Sequence, residues 1–377
     1  MKIGVDASNI ITGGGLTHLR ELLEALSAYQ NRFREIHIWA CENTLAQLSD
    51  KEWLKKHSNP WLEKNLLARL VWQYLYFKKL LRQNKIDILL LPGSTSAHGF
   101  HPNISISQNL LPFVAKEVNR HKITEWQYWR MKILRITQAS SFLHADATIF
   151  LTDYAKDIVL KVMHRKLNRP TVIPHGLNKA FIENTIERES QKPFSSLNPC
   201  KILYVSTIYH YKHQCELAQA VIKLRTKQLF ISLDFIGEAH HESLEKLNKY
   251  MNNKSYINYL GPIQHDKISD YYDKADIFAF VSSCETFGQI LLEAMARKTP
   301  IVCSNVSPMP EILQEAGLYC NPESPDSIAN ALECYYHSHT LRLEKATKAF
   351  AIAQSFSWDS VARKTLELIE SLYADTR

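Results

Sequence analysis

Several features that mark other classes of protein are absent from this chain of 377 residues. Its seven cysteines are scattered, odd in number and never spaced as Cys-x-x-Cys, which argues against a disulfide framework and a structural zinc site. The histidines show no His-Glu-x-x-His pattern, and no Asp-x-Asp sequence occurs. We therefore expect reduced thiols and no bound metal.

Long apolar runs are also missing. The run that begins at Ile86 is interrupted within about ten residues, whereas a membrane-spanning helix needs about twenty. The N-terminus reads MKIGVD, which predicts a strand and has none of the zones of a signal peptide. We expect a cytoplasmic protein that can attach peripherally to the inner face of the cytoplasmic membrane.

The positive charge is concentrated in the first half of the chain. Residues 1–177 hold 24 Lys and Arg against 14 Asp and Glu, whereas the remainder holds 21 against 24. Such asymmetry indicates an anionic partner: a membrane face, a phosphate-bearing acceptor or a nucleic acid. Because no nucleic-acid recognition motif accompanies the charge, we expect no nucleic acid.

The chain is too long for one ordinary core, and its strand and helix patterns alternate throughout. One such pair is a buried strand at 277–281 followed by a helix at 289–297. This alternation predicts an α/β protein with two Rossmann-like domains facing across a cleft. The predicted boundaries are 1–183 for a first domain, 184–199 for a linker, 200–356 for a second domain, and 357–377 for a C-terminal helix that packs back on the first domain.

The most informative motif reads SSCETFGQILLEAMA over residues 282–296. It follows a predicted buried strand, so its turn lies at the carboxyl end of that strand, where open α/β sheets bind ligands. Free N–H groups at the helix start can contact an anionic or hydroxyl-rich ligand, and the carboxylates of Glu285 and Glu293 can accept hydrogen bonds from a polyol. The alternative is that Glu285 caps the helix and Glu293 is merely exposed.

In this context the motif resembles the donor-binding signature of glycosyltransferase family 4, the retaining enzymes with the GT-B fold. The resemblance covers most of the chain and is most specific over residues 201–311. It implies a nucleotide diphosphate sugar as co-substrate and no further cofactor. It also implies that the domain at 1–183 binds the acceptor and the domain at 200–356 binds the nucleotide sugar. It assigns the donor diphosphate to Lys212, the ribose to Glu293 and the transferred sugar to Glu285, with Lys212 and Glu285 serving catalysis. The implied donor-binding set is Gly14, Gly15, Thr207, Lys212, Glu285, Phe287, Gly288, Gln289 and Glu293.

Three residues at two places in the chain depart from the family pattern. Thr207 stands where relatives carry an arginine, so the phosphate contact there loses its charge. Gln108 and Asn109, our acceptor-side candidates, stand where many relatives carry a His-Asp pair. Because neither amide can act as a base, they suit a front-face substitution in which the leaving phosphate takes the acceptor proton; a structural amide pair is the equal alternative.

Other loop residues give weaker signals. Residues 13–15 form a triple glycine before a helix, which resembles the family's cleft loop but is common in strand-to-helix turns. His210 or His213 can assist phosphate binding, although an ordinary loop histidine explains either. His175 precedes a glycine in what resembles the family's hinge loop, and we assign it no catalytic role.

Two segments combine basic and aromatic residues, from Trp53 to Lys85 and from Lys116 to Arg135. Helices of this composition can lie on an anionic membrane and guide a lipid-linked acceptor. For a single helix, burial of the aromatic rings in the core is the better explanation. Two such segments in one domain favour the membrane.

These observations predict a retaining hexosyltransferase of bacterial polysaccharide or lipopolysaccharide synthesis, acting on a glycan or lipid-linked acceptor without a metal ion. GDP-mannose is slightly favoured as donor over UDP-hexoses. The alternatives are a catalytically silent nucleotide-sugar-binding assembly partner and a nucleotide-sugar epimerase of the same fold.

Overall fold

The computed structural model describes residues 1–93, 99–183, 193–264 and 267–375. The chain forms two compact units, one built from Met1–Gly176 with Ser357–Arg377 and the other from Leu177–Phe356. Within the described ranges no helix is both long and apolar enough to cross a bilayer.

The first unit contains a parallel sheet of seven described strands in the order β3-β2-β1-β4-β5-β6-β7. The strands are β1 Lys2–Asp6, β2 Glu35–Trp39, β3 Leu54–His57, β4 Ile88–Leu91, β5 Asn103–Ser107, β6 Ala147–Phe150 and β7 Pro170–Val172. Its helices are α1 Gly14–Leu26, α2 Glu42–Ala46, α3 Leu66–Trp72, α4 Lys78–Gln83, α5 Ala115–Val118, α6 Trp126–His144, α7 Asp153–Met163 and, from the C-terminus, α16 Trp358–Asp375. Central strands such as β4 are buried on both faces, which is why their sequences are continuously apolar.

The second unit repeats this design with the described strand order β10-β9-β8-β11-β12-β13, again all parallel. Its strands are β8 Cys200–Val205, β9 Ile231–Ile236, β10 Ile257–Tyr259, β11 Ile277–Phe280, β12 Ile301–Ser304 and β13 Leu318–Cys320. Its helices are α8 Ala180–Glu183, α9 Gln214–Thr226, α10 His241–Met251, α11 Ile268–Lys274, α12 Gln289–Ala296, α13 Met309–Leu313, α14 Pro325–His337 and α15 His339–Ala353. Both orders are those of a doubly wound Rossmann sheet.

The two units divide at Gly176, earlier than the predicted boundary at 183. Helix α8, which that boundary gave to the first domain, packs against α12 of the second unit. Part of the predicted linker, 184–192, lies outside the described residues. The rest belongs to the second unit, because Phe194 packs against Tyr336 with ring centroids 5.0 Å apart.

The C-terminal helix α16 belongs to the first unit and packs along α1. Its first residue, Trp358, lies so close to Gly176 that a Cβ at position 176 would overlap the Trp358 backbone. Close backbone packing therefore requires a glycine at 176.

Beside Trp358, His18 of α1 and His175 approach each other with their Nδ1 atoms 3.0 Å apart.

Candidate functional site

The predicted motif lies where the strand order of the second sheet reverses. Strands β8 and β11 are neighbours there, although 71 residues separate the end of one from the start of the other in the chain. The loop after β8 contains a short 3-10 turn, His210–Lys212, and the loop after β11 leads into α12. Doubly wound sheets bind ligands at this kind of position.

Gly288 makes the turn that starts α12. Its φ of 94° lies in the left-handed region, and a Cβ there would lie 2.9 Å from Cε1 of Phe280. Phe287 points its side chain into the core against Phe356, with ring centroids 5.8 Å apart. The candidates for contact with a ligand are therefore the N–H groups at the start of α12, beginning at Gln289, except that of Leu291, which donates to Gly288 O over 2.8 Å.

Lys212 and Glu285 meet directly. The ammonium of Lys212 donates to Oε1 of Glu285, and the two side chains are only 10% and 15% exposed. Both loops are held in place, because Ser283 N donates to Tyr211 O over 2.9 Å and Glu285 N donates to Ser307 Oγ over 2.7 Å. The structure therefore places together the two residues that the sequence assigned to catalysis.

The Lys212 ammonium stays charged in this setting. Burial disfavours its charged form, but the Glu285 carboxylate outweighs burial, and the pKa of Lys212 is raised above its ordinary value. The ammonium also lies over the ring of Tyr211, 5.0 Å from the centroid. Burial raises the pKa of Tyr211 to about 12, so that ring remains a neutral phenol. The site therefore contains a nearly enclosed cation that is paired with a carboxylate.

Glu293 lies apart from this pair, on α12, and is 5% exposed. Tyr272 of α11 donates its hydroxyl to Oε2 of Glu293 over 3.0 Å. Burial and the neighbouring carboxylate raise the pKa of Tyr272 well above its ordinary value, so Tyr272 remains a donor. The alternative of an exposed Glu293 is excluded, and the carboxylate is held in one orientation.

His213 is a structural residue. It is 1% exposed and adopts a left-handed φ of 54° immediately before α9. Its Nε2 lies 3.0 Å from Ser283 Oγ and its Nδ1 lies 3.4 Å from Glu216. Since both ring nitrogens face protein groups, the ordinary loop histidine is the better description.

Thr207 is exposed, and its carbonyl accepts a hydrogen bond from Gln214 over 3.0 Å. The preceding residue, Ser206, is crowded by the next loop, where a Cβ on Gly237 would overlap its carbonyl. The loop is thus fixed through its backbone, and the Thr207 side chain takes no part in holding it.

In the first unit the glycine loop and the acceptor-side candidates are close neighbours. A Cβ on Gly15 would lie 3.1 Å from Oε1 of Gln108, whereas one on Gly14 would meet nothing within 4 Å. Asn109 accepts a hydrogen bond from Leu111 N over 3.2 Å, which stabilises the following turn. Asn109 therefore has a structural role of its own, and Gln108 faces the loop.

Sequence reasoning gave no role to Ser307 or Tyr272. Ser307 lies in the stretch that carried the family resemblance, with a left-handed φ of 69°, and anchors Glu285. Tyr272 is fully buried and orients Glu293. Neither contact could be found from spacing, because one joins two helices and the other joins two loops that are separate in the chain.

Comparison with known proteins identifies the class. The family model described as Glycosyltransferase Family 4 matches residues 12–181, and that described as Glycosyl transferases group 1 matches residues 185–355. The two matches follow one another along the chain and together cover most of it. The first match falls mainly in the first unit and the second match lies in the second unit. The chain belongs to glycosyltransferase family 4.

Individual relatives are distant. The O-antigen chain mannosyltransferase B of Escherichia coli is 28% identical over 173 residues, which make up 45% of this chain and 45% of that protein. The chain thus spans about half the length of this curated relative.

Solved structures share the whole fold. HepE of Anabaena, crystallised with UDP, has a TM-score of 0.72 at 15% identity, covering 98% of this chain and 100% of its own. WaaG, a glycosyltransferase involved in lipopolysaccharide biosynthesis, has a TM-score of 0.72 at 15% identity, covering 98% and 99%. The predicted GT-B fold class is confirmed.

Proposed function

We propose that this protein transfers a hexose from a nucleotide diphosphate sugar to a glycan or lipid-linked acceptor, with retention of anomeric configuration, in bacterial polysaccharide or lipopolysaccharide synthesis. The observation that carries the proposal is the enclosed Lys212–Glu285 pair at the strand-order reversal of the second sheet. Membership of the family supports the reaction class. Mannose is favoured as the sugar because a relative bears the name O-antigen chain mannosyltransferase B.

Lys212 would stabilise the diphosphate as it leaves. Its ammonium is nearly buried, and a charge in a water-poor site interacts with a developing anion more strongly than in water. The N-terminus of α12 adds backbone N–H groups to the same side of the sheet. These groups would take the place of a divalent ion, so we propose metal-independent catalysis that survives chelation by EDTA.

The residues at the acceptor side support a front-face route. Gln108 cannot accept a proton at neutral pH, and Asn109 is engaged by Leu111. With no base at these positions, the departing phosphate oxygen would take the proton from the acceptor hydroxyl. The new glycosidic bond then forms on the face from which the nucleotide leaves.

A donor screen tests the proposal. Purified protein is heated with GDP-, UDP- and dTDP-sugars; a ligand at about a hundred times its Kd stabilises a protein by about 2.7 kcal/mol and raises the melting temperature. Donors that stabilise are then assayed for transfer and for the anomer formed. Stabilisation without transfer or hydrolysis would favour the silent binding partner, a free sugar product would favour the epimerase, and stabilisation by no nucleotide sugar would contradict the proposal.

We also propose that the first unit docks on an anionic membrane. In α6 and the turn before it, apolar side chains point into solvent: Ile123 is 65%, Trp126 68% and Ile136 69% exposed. The other basic segment does not form one helix, since it begins with strand β3 and its Trp72 and Phe77 are buried in the core. Between Trp72 and Phe77 in the chain, however, lie two exposed side chains: Tyr74 is 73% and Leu75 is 58% exposed, in a π-helical turn at Gln73–Phe77.

Both apolar patches lie on one face of the sheet. A Cβ on Gly4 of β1 would point toward Leu81 of α4, and Phe150 of β6 packs against Phe142 of α6. The register links Gly4 through Leu89 and β5 to Phe150 on the same side of the sheet. Basic residues accompany both patches, so apolar insertion and attraction to anionic lipid would act together.

Vesicle sedimentation tests the docking. Wild-type protein should pellet with anionic vesicles at low salt. It should pellet less at high salt, because salt screens the attraction, and much less with neutral vesicles, because the lipid charge is gone. A Trp126→Ser and Ile136→Ser double variant should bind less. Leu197→Ser is the matched control, since Leu197 is 96% exposed in the second unit. Absence of binding at both low and high salt, or equal loss in the control, would exclude this surface.

A further inference from the structure

We propose that the Glu285–Lys212 ion pair discriminates the sugar-bearing donor from the bare nucleoside diphosphate and thereby assists release of the product nucleotide. The inference rests on the proposed function and concerns the same site. Its starting point is that the two groups expected to meet different parts of the donor form an ion pair with each other.

The pair is built in rather than incidental. Its side chains are 10% and 15% exposed, far less than the surface pair of Lys227 and Glu333, at 45% and 26%. Tyr204 donates its hydroxyl to the Lys212 carbonyl over 2.7 Å, and Ser307 holds the Glu285 amide. Because the main chain is anchored at both residues, the carboxylate stays within reach of the ammonium, and the pair can form again whenever no ligand group separates the two.

A bare diphosphate therefore meets a site with an internal competitor. To reach Lys212 it must replace the Glu285 carboxylate and then remain near that negative charge. Occupation of the ammonium by Glu285 reduces the fraction of protein competent to bind the anion, and the apparent affinity falls by the same fraction. Little water can enter to screen the repulsion, since both side chains are nearly enclosed.

The sugar changes this balance. Hydroxyl groups of a bound hexose can donate hydrogen bonds to Glu285, which gives the carboxylate a new partner once Lys212 turns to the diphosphate. After transfer the hexose leaves with the acceptor, and Glu285 loses those donors. The carboxylate then pairs again with Lys212 and weakens the hold on the nucleoside diphosphate.

Calorimetric titration of GDP, UDP and the preferred nucleotide sugar tests the idea. Glu285→Gln keeps the shape but removes the charge, so it should bind the bare nucleoside diphosphate about ten-fold tighter than wild type, the effect of a charge coupling at the low end of measured pairs. The same variant should bind the nucleotide sugar no tighter than wild type. Glu285→Ala should shift the preference in the same direction, which keeps the test available if one variant folds poorly.

Glu333→Gln is the matched control, because it removes the same charge from an ion pair elsewhere in the second unit. It should leave both affinities unchanged. If wild type binds the nucleotide sugar while the folded Glu285 variants bind the bare nucleoside diphosphate equally or more weakly, the discrimination is disproved and the transferase proposal stands. If no protein binds either nucleotide, the proposed function itself fails.

Discussion

At the scale of single residues, the site depends on contacts between side chains that are distant in the chain. Lys212 and Glu285 were each identified from a local pattern, but their ion pair joins loops that follow two different strands. A sequence pattern gives the position of a residue relative to its own strand. It gives neither the order of strands in the sheet nor the side chain that a residue contacts on another element. For this reason the contacts of Ser307 with Glu285 and of Tyr272 with Glu293 were not predicted.

Replacing Lys212 with alanine should lower turnover by about a hundred-fold or more, the usual effect of removing one group that stabilises the developing charge. The fall should appear mainly in kcat, because the leaving diphosphate is the group that gains charge in the transition state. Initial-rate kinetics with the preferred donor measure it.

Lys227→Ala is the control, since Lys227 pairs with Glu333 on the surface of the same unit. Turnover near the wild-type value in a folded Lys212→Ala protein would remove Lys212 from the mechanism.

At the scale of elements, strands and helices with an apolar pattern were predicted, whereas a strand without such a pattern was not. The strand predicted at 277–281 and the helix at 289–297 are observed as β11 Ile277–Phe280 and α12 Gln289–Ala296. Strand β3 was missed because its sequence, LKKH, has no apolar alternation and takes its structure from pairing with β2. The pairing of His18 in α1 with His175 was equally invisible before the fold was known.

That histidine pair should make the first unit acid-sensitive. Burial lowers the pKa of His18 from 6.5 to about 4, and burial also lowers that of His175. The unfolded chain therefore takes up protons that the folded chain refuses, and stability falls as pH drops from about 6.5 toward 4. His18→Gln removes one such group and should lessen this loss by about 3 kcal/mol.

Urea unfolding at a series of pH values measures the effect. His241→Gln is the matched control, because it makes the same change at a side chain that is 85% exposed. Parallel pH profiles for wild type and His18→Gln would show that the buried pair does not govern acid stability.

At the scale of the whole molecule, the sequence predicted two Rossmann-like units and the GT-B class, and both are observed. The position at which the chain leaves the first unit was placed too late, since the turn at Gly176 is set by its packing on Trp358. Polar composition marks where a chain is exposed, whereas the boundary of a unit is decided by which core each short helix joins.

Deleting residues 357–377 should unfold the first unit while the second keeps its structure. Helix α16 buries Trp358, Val361, Leu366, Ile369 and Leu372, and each buried apolar side chain contributes about 1.5–3 kcal/mol. Their sum is comparable with the total stability of a domain, about 5–15 kcal/mol. Hydrogen exchange should show lost protection in β1 to β7 and retained protection in β8 to β13.

A point variant provides the control. Glu370→Gln breaks only the surface ion pair with Arg32 and should cost less than about 1 kcal/mol. Protection of the first sheet after the truncation would mean that α16 is dispensable.

The exposed Thr207 side chain has a consequence for how such a protein can evolve. Its loop is held by main-chain contacts to Gln214 and by the crowding of Gly237 against Ser206, so the identity of the side chain at 207 is not dictated by the fold. Natural or laboratory selection can therefore try new chemistry at this position without first solving a folding problem. If the proposed donor site is correct, position 207 would be a place where ligand preference can change, while the nearby glycine must stay fixed.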